Sequence, residues 1–342
     1  MPIPEDWIPA DGDTFVTVEN FIFNVFGYEH PSSRVLSFLK YIPLEYKGFF
    51  PLRFLRKTWK YGKVELLRAQ KLYTARNYLI LLAAFRENFG SYVYFCPYRG
   101  KEVISTPKGS VKRVFSPRSC LVSLMKLKVK DNLQKVASDL VRVLSEESSI
   151  PIEDFGLHGS LALDMHTSES DIDLVVYGAE NFRSLEKTVS KLAEKGELGY
   201  VIKNRLDAAR RNRAHYSSTV FMYNAVRKAE EFESNYGVNR YYPLRSVRFH
   251  CKVSCDDEAM FRPAIYGIGN FRPISPSSAL SKREIPQLVV SMIGCYRNVA
   301  KKGSEIEVSG MLERVENVRT GSATYQVVVG TTANEDEYIW PL

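Results

Sequence analysis

The chain has 342 residues, a formal net charge of +8 and a sequence pI near 9.1. That length points to two or three domains, because single cores usually stop growing at about 250–300 residues. Hydrophobic residues at 45% and charged residues at 25% argue against wholesale disorder. The longest apolar run, Tyr78 to Phe85, falls far short of the ~20 residues that cross a bilayer. Met1 to Asp6 lack the basic start and apolar core of a signal peptide, so a cytoplasmic protein is the expectation.

The first region runs over residues 1–125. Phe15–Val18 and Phe21–Phe26 are β-rich runs around Glu19-Asn20 and predict a hairpin. After Pro31-Ser32-Ser33, the spacing of Val35, Leu36, Phe38, Leu39 and Ile42 predicts a helix that Pro43 ends. Arg53 to Phe85 is also expected to be helical, with aromatics and basic residues interleaved. Tyr92–Cys96 and Glu102–Ser105 predict strands around an Arg99-Gly100 turn.

Charge is concentrated in this region. Residues 31–130 hold 21 Lys+Arg and four acids, a local balance of +17 that leaves −9 for the rest of the chain. Such asymmetry suggests a polyanionic partner, nucleic acid before membrane, unless the basic residues pair with the acidic remainder. Phe49, Phe50, Phe54, Trp59, Tyr61, Tyr73 and Tyr78 lie among Arg53, Arg56, Lys57, Lys60, Lys63, Arg68 and Arg76. Rings and cations mixed in this way hold single strands, although each ring taken alone is better explained as core.

The second region is assigned to residues 126–255. Leu133, Val136, Ala137, Leu140 and Leu144 predict an amphipathic helix over Asp131–Glu146, capped by Asp131. Strands follow at Phe155–His158 and Ile172–Tyr177. Asn181 is expected to cap a helix that buries Phe182, Leu185, Val189 and Leu192 and ends at Gly196. Residues 203–234 look helical, and Val247–Val253 is expected to be a third strand. The order describes an α+β domain, a small mixed sheet with flanking helices. The third region, residues 256–342, is loop-rich at first and then a small, mostly antiparallel β unit.

The chemistry is carried by Gly159-Ser160, a ten-residue spacer, and Asp171-Ile172-Asp173-Leu174. Side chains alternate along a strand, so Asp171 and Asp173 share one face and Ile172 and Leu174 the other. Two carboxylates one strand repeat apart repel each other, and a divalent cation between them resolves that repulsion. Mg²⁺ takes one or two protein carboxylates and fills its other positions with water and substrate phosphate oxygens. Glycine lets a phosphate approach the backbone, and the Ser160 hydroxyl adds a donor. Together these residues describe a nucleoside triphosphate site.

At these positions the sequence resembles the nucleotidyltransferase superfamily that includes DNA polymerase β. Members carry an apolar strand, Gly-Ser or Gly-Gly, a spacer, and Asp-x-Asp between apolar residues. Ser168, Glu169 and Ser170 before the pair and Leu174, Val175 and Val176 after it resemble the smaller, minimal branch. The layout is also similar to archaeal predicted nucleotidyltransferases. The resemblance implies that Asp171 and Asp173 hold Mg²⁺ (or Mn²⁺) and that Gly159 and Ser160 hold the triphosphate, with ATP the expected nucleotide. It does not extend to the N-terminal third.

The superfamily usually has a third carboxylate on a later strand. Val247–Val253 presents Arg248, His250 and Lys252 on one face and no acid. Asp256 or Asp257 could reach back, His250 could serve as a base, or the site could bind nucleotide without efficient transfer. Lys203, Arg205, Arg210, Arg211 and Arg213 face only Asp207 in sequence, and one or two could contact a triphosphate or an RNA backbone. His250, Cys251 and Cys255 raise a zinc question, but an odd and sparse set of five cysteines fits reduced thiols better. Two functions follow. One is Mg-dependent transfer of a nucleoside monophosphate to a hydroxyl acceptor, with RNA or tRNA favoured. The other is a weakly active or inactive protein of the same fold that binds nucleic acid or regulates.

Overall fold

Alternation of apolar residues at every second position, rather than helical spacing, organises the first third of the chain. The computed structural model describes residues 7–72, 74–232, 235–331 and 335–342, so Met1–Asp6 and Tyr73 lie outside the described residues. Strands β1 (Thr14–Thr17) and β2 (Ile22–Val25) form the expected hairpin. The expected helix after Pro31 is instead strand β3 (Arg34–Pro43), antiparallel to β2. Val35, Phe38, Leu39 and Ile42 satisfy a helical spacing. Val35, Ser37 and Leu39 also alternate inward with period two, and pairing with β2 decides between the two.

The Arg53–Phe85 stretch divides as well. Strands β4 (Trp59–Tyr61) and β5 (Val64–Leu67) form a hairpin around Gly62-Lys63, with Gly62 at φ +58° in the left-handed region that glycine accepts. Helix α1 (Ala75–Asn88) starts only after Thr74, whose side chain accepts a hydrogen bond from the Asn77 N–H at 3.2 Å. Strands β6 (Val93–Cys96), β7 (Lys101–Pro107) and β8 (Val111–Phe115) complete an eight-stranded sheet. Phe21, Phe23, Phe50, Phe85 and Tyr92 form its aromatic core against α1.

Helix α2 (Pro117–Lys126) leads into α3 (Asn132–Ser148), where Asp131 and Gln134 form a reciprocal capping box. Next come β9 (Phe155–His158), the single turn α4 (Gly159–Ala162), β10 (Ile172–Tyr177) and α5 (Ala179–Glu194). Gly178 rather than Asn181 occupies the N-cap of α5. The Asn181 amide instead donates to the Tyr177 carbonyl and to Asp154, each at 2.8 Å. Among the described residues of 203–234 the α-helical part is α6 (Arg205–Arg210), with a 3-10 turn at Ala229–Glu231. Strands β11 (Gly199–Tyr200), β12 (Arg213–Tyr216) and β13 (Thr219–Val226) close this part, and residues 233–234 lie outside the described residues. The sheet order is β11-β12-β13-β10-β9, with β13 parallel and β9 antiparallel to β10. Helices α3 and α5 cover one face through Leu140, Leu144, Phe182, Leu185, Ile172, Leu174 and Phe221.

Val247–Val253 is not part of this sheet. It belongs to β14 (Asn239–Glu258), the first strand of a separate barrel with β15 (Ala264–Pro273), β16 (Leu288–Ser291), β17 (Glu305–Asn317) and β18 (Ala323–Val329). The order β14-β15-β16-β18-β17 closes by pairing of β17 with β14, and β16 and β18 run parallel. Strand β19 (Tyr338–Pro341) adds to β17. A closed five-stranded barrel of this order has the connectivity of an OB barrel. Among the described residues, no helix is long and apolar enough to cross a membrane.

Candidate active site

Strand β10 carries Asp173, and Asp171 immediately precedes the strand. Ile172 and Leu174 are buried against the helices, and Asp171 and Asp173 project from the opposite face. That face is not open. Leu163 and Met165, from the loop between Gly-Ser and the acid pair, pack with Val16, Ile22, Tyr41, Leu66 and Phe115 of the N-terminal sheet. The acids therefore lie close to the seam where the N-terminal sheet packs on this domain.

Gly159 and Asp173 are in direct contact. Gly159 has φ +73°, and a Cβ built there would lie 2.0 Å from the Asp173 Oδ2. Any side chain at 159 would displace that carboxylate, so the turn and the acid are built as one unit. Ser160 follows on the same turn, and its carbonyl accepts from the Met165 N–H at 2.9 Å. Its hydroxyl makes no hydrogen bond among the described residues.

Three cations surround the pair. Arg213 on β12 donates to the Asp171 Oδ2 at 2.5 Å. Lys40 on β3 and Arg68 just after β5 exert their charge on Asp173 from the N-terminal side. Burial pushes the Asp173 carboxyl above its ordinary value. Lys40 opposes that shift, and the Asp171 charge reinforces it. Lys40 itself is only 9% exposed. Burial pulls its ammonium down to about 8, with Asp173 acting in the other direction. On β9, His158 pairs directly with Asp173 in the sheet register, and its Nε2 lies 3.2 Å from the Thr14 Oγ1. Burial, helped by Lys40, Arg262 and Arg297, holds this imidazole neutral.

Residues 137–215 match the family model of the nucleotidyltransferase domain. The chain carries a nucleotidyltransferase domain. The match covers most of α3, then the Gly-Ser turn, the acid pair, α5 and most of β12. It stops before β13. Along its whole length the chain is also similar to the uncharacterized protein MJ1086 of Methanocaldococcus jannaschii. The two are 25% identical over 96% of this chain and 97% of the relative. The likeness thus extends beyond the nucleotidyltransferase domain to the N-terminal sheet and the barrel. No solved structure matches.

The third strand of the nucleotidyltransferase sheet is β13, not Val247–Val253. On the acid-bearing face β13 presents Val220, Met222 and Asn224, with Met222 directly beside Asp173. It offers no carboxylate. The other candidates for a third group are occupied elsewhere. Asp256 accepts from Arg183 at 2.7 Å, on the helix that covers the opposite face of the sheet. Asp257 accepts from the Cys255 thiol at 3.3 Å, and the His250 ring lies 3.2 Å from Glu307 within the barrel. Among the described residues no group of three or more His, Cys, Asp or Glu could hold a metal ion, and all five cysteines are free. Two carboxylates on one strand face suit a cation that completes its shell with substrate phosphates. They do not form a closed protein cage.

Of the basic residues at 203–215, Arg213 alone is hydrogen-bonded to the acid pair. Arg205 stacks on Trp340 and Arg211 lies over Tyr200. Arg210 is largely buried near Tyr223 and Asn212, away from the acid pair, and the Lys203 backbone N–H donates to Asp207. Sequence reasoning missed Lys40 and passed over Arg68 as one basic residue among many. Both were assigned to helices, and helical spacing says nothing about what a strand bulge aims at.

Proposed function

We propose that the protein is a nucleotidyltransferase that moves a nucleoside monophosphate from an NTP, ATP foremost, to a hydroxyl acceptor. The observation that carries this reading is the contact between the Gly159 turn and the Asp173 carboxylate, with Asp171 beside them. The turn that follows β9 and the acid pair at the start of β10 meet beside the His158–Asp173 rung. Asp171 and Asp173 would hold Mg²⁺, which when bound neutralises phosphate charge and organises the triphosphate. Gly159 gives the phosphates access to the backbone, and the unengaged Ser160 hydroxyl donates to them. The acceptor oxygen attacks the α-phosphorus, the bond to the β-phosphate oxygen breaks, pyrophosphate leaves, and the hydroxyl proton passes to solvent.

The acceptor we favour is RNA, tRNA included. Arg53, Arg56, Lys57, Lys60 and Lys63 are all exposed on and before the β4–β5 hairpin. Lys57 reaches the Thr167 hydroxyl at 3.4 Å, beside the acid pair's approach loop. Among the described residues, the cations of 31–130 in close ion pairs are Arg86, with Glu102, and Arg118, with Asp154. The hairpin cations stay available to phosphates.

A second reading has its own support. Arg213 already neutralises Asp171, and β13 supplies no third acid. These features suit a protein that binds nucleic acid or regulates with little transfer. One assay separates the two: labelled NTPs with Mg²⁺ or Mn²⁺ and total RNA, comparing wild type with the Asp171→Ala/Asp173→Ala double variant. Transfer by wild type that the variant loses supports the enzyme. No metal-dependent label on any acceptor overturns it. Salt-steep RNA binding that survives in the variant then favours the second reading.

A further inference from the structure

Strand β3 is irregular at one place. Its register against β2 pairs Phe23 with Leu39 and Ile22 with Tyr41, so Lys40 has no opposite number. It is the extra residue of a β-bulge. Bulges re-aim a side chain and occur next to active sites. Leu39 points into the aromatic core of the N-terminal sheet, and Tyr41 belongs to the apolar seam with Leu163 and Met165. The residue between them is turned toward the acid pair, where its charge acts on both Asp173 and His158. These two are partners across β9 and β10, directly beside Gly159.

The Lys40 side chain is largely buried, and the partial loss of water disfavours its charge. Among the described residues it makes no hydrogen bond and no close ion pair, although the Tyr41 ring lies 5.8 Å away. Arg68 adds a like charge nearby. A largely buried, unbonded cation beside another cation is stabilised when an anion arrives. Asp173 supplies part of a counter-charge, yet its own charge is repelled by Asp171 and drawn toward any divalent ion there.

We propose that Lys40 is a phosphate ligand for the incoming nucleotide, delivered by the N-terminal sheet to the nucleotidyltransferase site beside the His158–Asp173 rung. The inference rests on the nucleotidyltransferase reading and deepens it. It makes the N-terminal sheet part of the nucleotide site as well as a holder of acceptor. A triphosphate lying over Gly159 brings the anion that Lys40 lacks, and Arg68 lies on the same side to share it. The bulge then has a role, because a regular strand would leave this position paired within the sheet.

The test uses the full chain and two probes: inorganic tripolyphosphate without metal, and ATP with Mg²⁺. Lys40→Met keeps the length of the side chain and removes the charge. It is expected to weaken tripolyphosphate and ATP binding by about 10–100-fold, the range of a lost charge-assisted contact. The same variant is expected to melt about 2–4 °C higher without ligand, because an unbonded buried charge is gone. Lys40→Arg is expected to recover much of the affinity. Binding by Lys40→Met within twofold of wild type overturns the inference and leaves the nucleotidyltransferase reading standing. So does weaker binding with a lower melting point and no rescue by arginine, which marks Lys40 as structural. Wild type that binds neither probe removes both.

Discussion

The central sheet and the N-terminal sheet meet at the Asp171–Asp173 face, and they handle charge differently. In the central sheet Asp171 is held by Arg213 at 2.5 Å, and Asp173 faces Lys40. Asp171 has a cation paired with it before any ligand binds, whereas Asp173 feels the Lys40 charge without a close ion pair. Along the β4–β5 hairpin, Arg53, Arg56, Lys57, Lys60 and Lys63 have no carboxylate partner among the described residues. An internal ion pair takes a charge out of reach of a ligand, and the ligand must break it. A solvated cation without a partner costs little by itself and gives its full attraction to an incoming polyanion. The hairpin cations are thus free of carboxylates, and on the acid face Asp171 is the carboxylate that a bound cation would have to take from Arg213.

The comparison breaks if the hairpin charges are idle. Replacing Arg53, Arg56, Lys57, Lys60 and Lys63 with Gln is expected to weaken RNA binding on the order of 100-fold at moderate salt. The slope of log affinity against log salt should flatten by about 3–4, at roughly 0.7 per lost single-strand phosphate contact. Filter binding across a salt series checks both, and an unchanged slope assigns the polyanion to another surface. A smaller effect is expected on the central-sheet side. Gly159→Ala forces a Cβ toward the Asp173 Oδ2 in a left-handed backbone conformation. It should lower stability by about 1–3 kcal/mol in urea unfolding. Nucleotide affinity should fall with it, whereas RNA affinity through the hairpin should hold. Loss of both in parallel would show that the two surfaces are one site.

These two surfaces were unequally legible in the sequence. The Gly159-Ser160 and Asp171-x-Asp173 spacing placed the turn and the acid pair on adjacent strands, because period-two alternation and a glycine turn are local properties. The helices over 132–148 and 179–194 were equally legible from their apolar faces. The N-terminal sheet was misread at Val35–Ile42 and over Arg53–Leu67, where short apolar runs satisfy helical and strand periods alike and only long-range pairing chooses, whereas the helical expectation held from Ala75 to Phe85. The error over 203–234 has the same origin. Assigning Val247–Val253 to the nucleotidyltransferase sheet failed for another reason. A strand's composition does not say which sheet it joins, and β14 pairs with β17 more than fifty residues further along. Lys40 was beyond reach, since a bulge is defined by register against a partner strand.

The smallest expected effect concerns an acid on the N-terminal side that has no cation. Asp11 is held by Arg262 at 3.2 Å. Two residues on, Asp13 is 6% exposed and is bonded only by neutral donors: the Trp7 indole N–H at 2.8 Å and the Ala10 N–H at 3.4 Å. Burial raises its carboxyl to about 7, with a further push from the Asp11 charge. Cys120 and Tyr177, the other titratable groups near it, are themselves shifted upward by burial. The folded protein therefore holds a proton on Asp13 that the unfolded chain releases near pH 4. That contribution is present in full below about pH 4. It is lost as pH rises to about 7, at no more than roughly 1.4 kcal/mol per unit, and is constant above. Asp13→Asn keeps an acceptor for Trp7 and removes the titration. The stability of wild type relative to Asp13→Asn, from urea unfolding at several pH values, should fall between pH 4 and 7 and level off beyond. A difference that stays flat over that window would mean that Asp13 finds a counter-charge after all, and that the N-terminal sheet leaves only its cations unpaired.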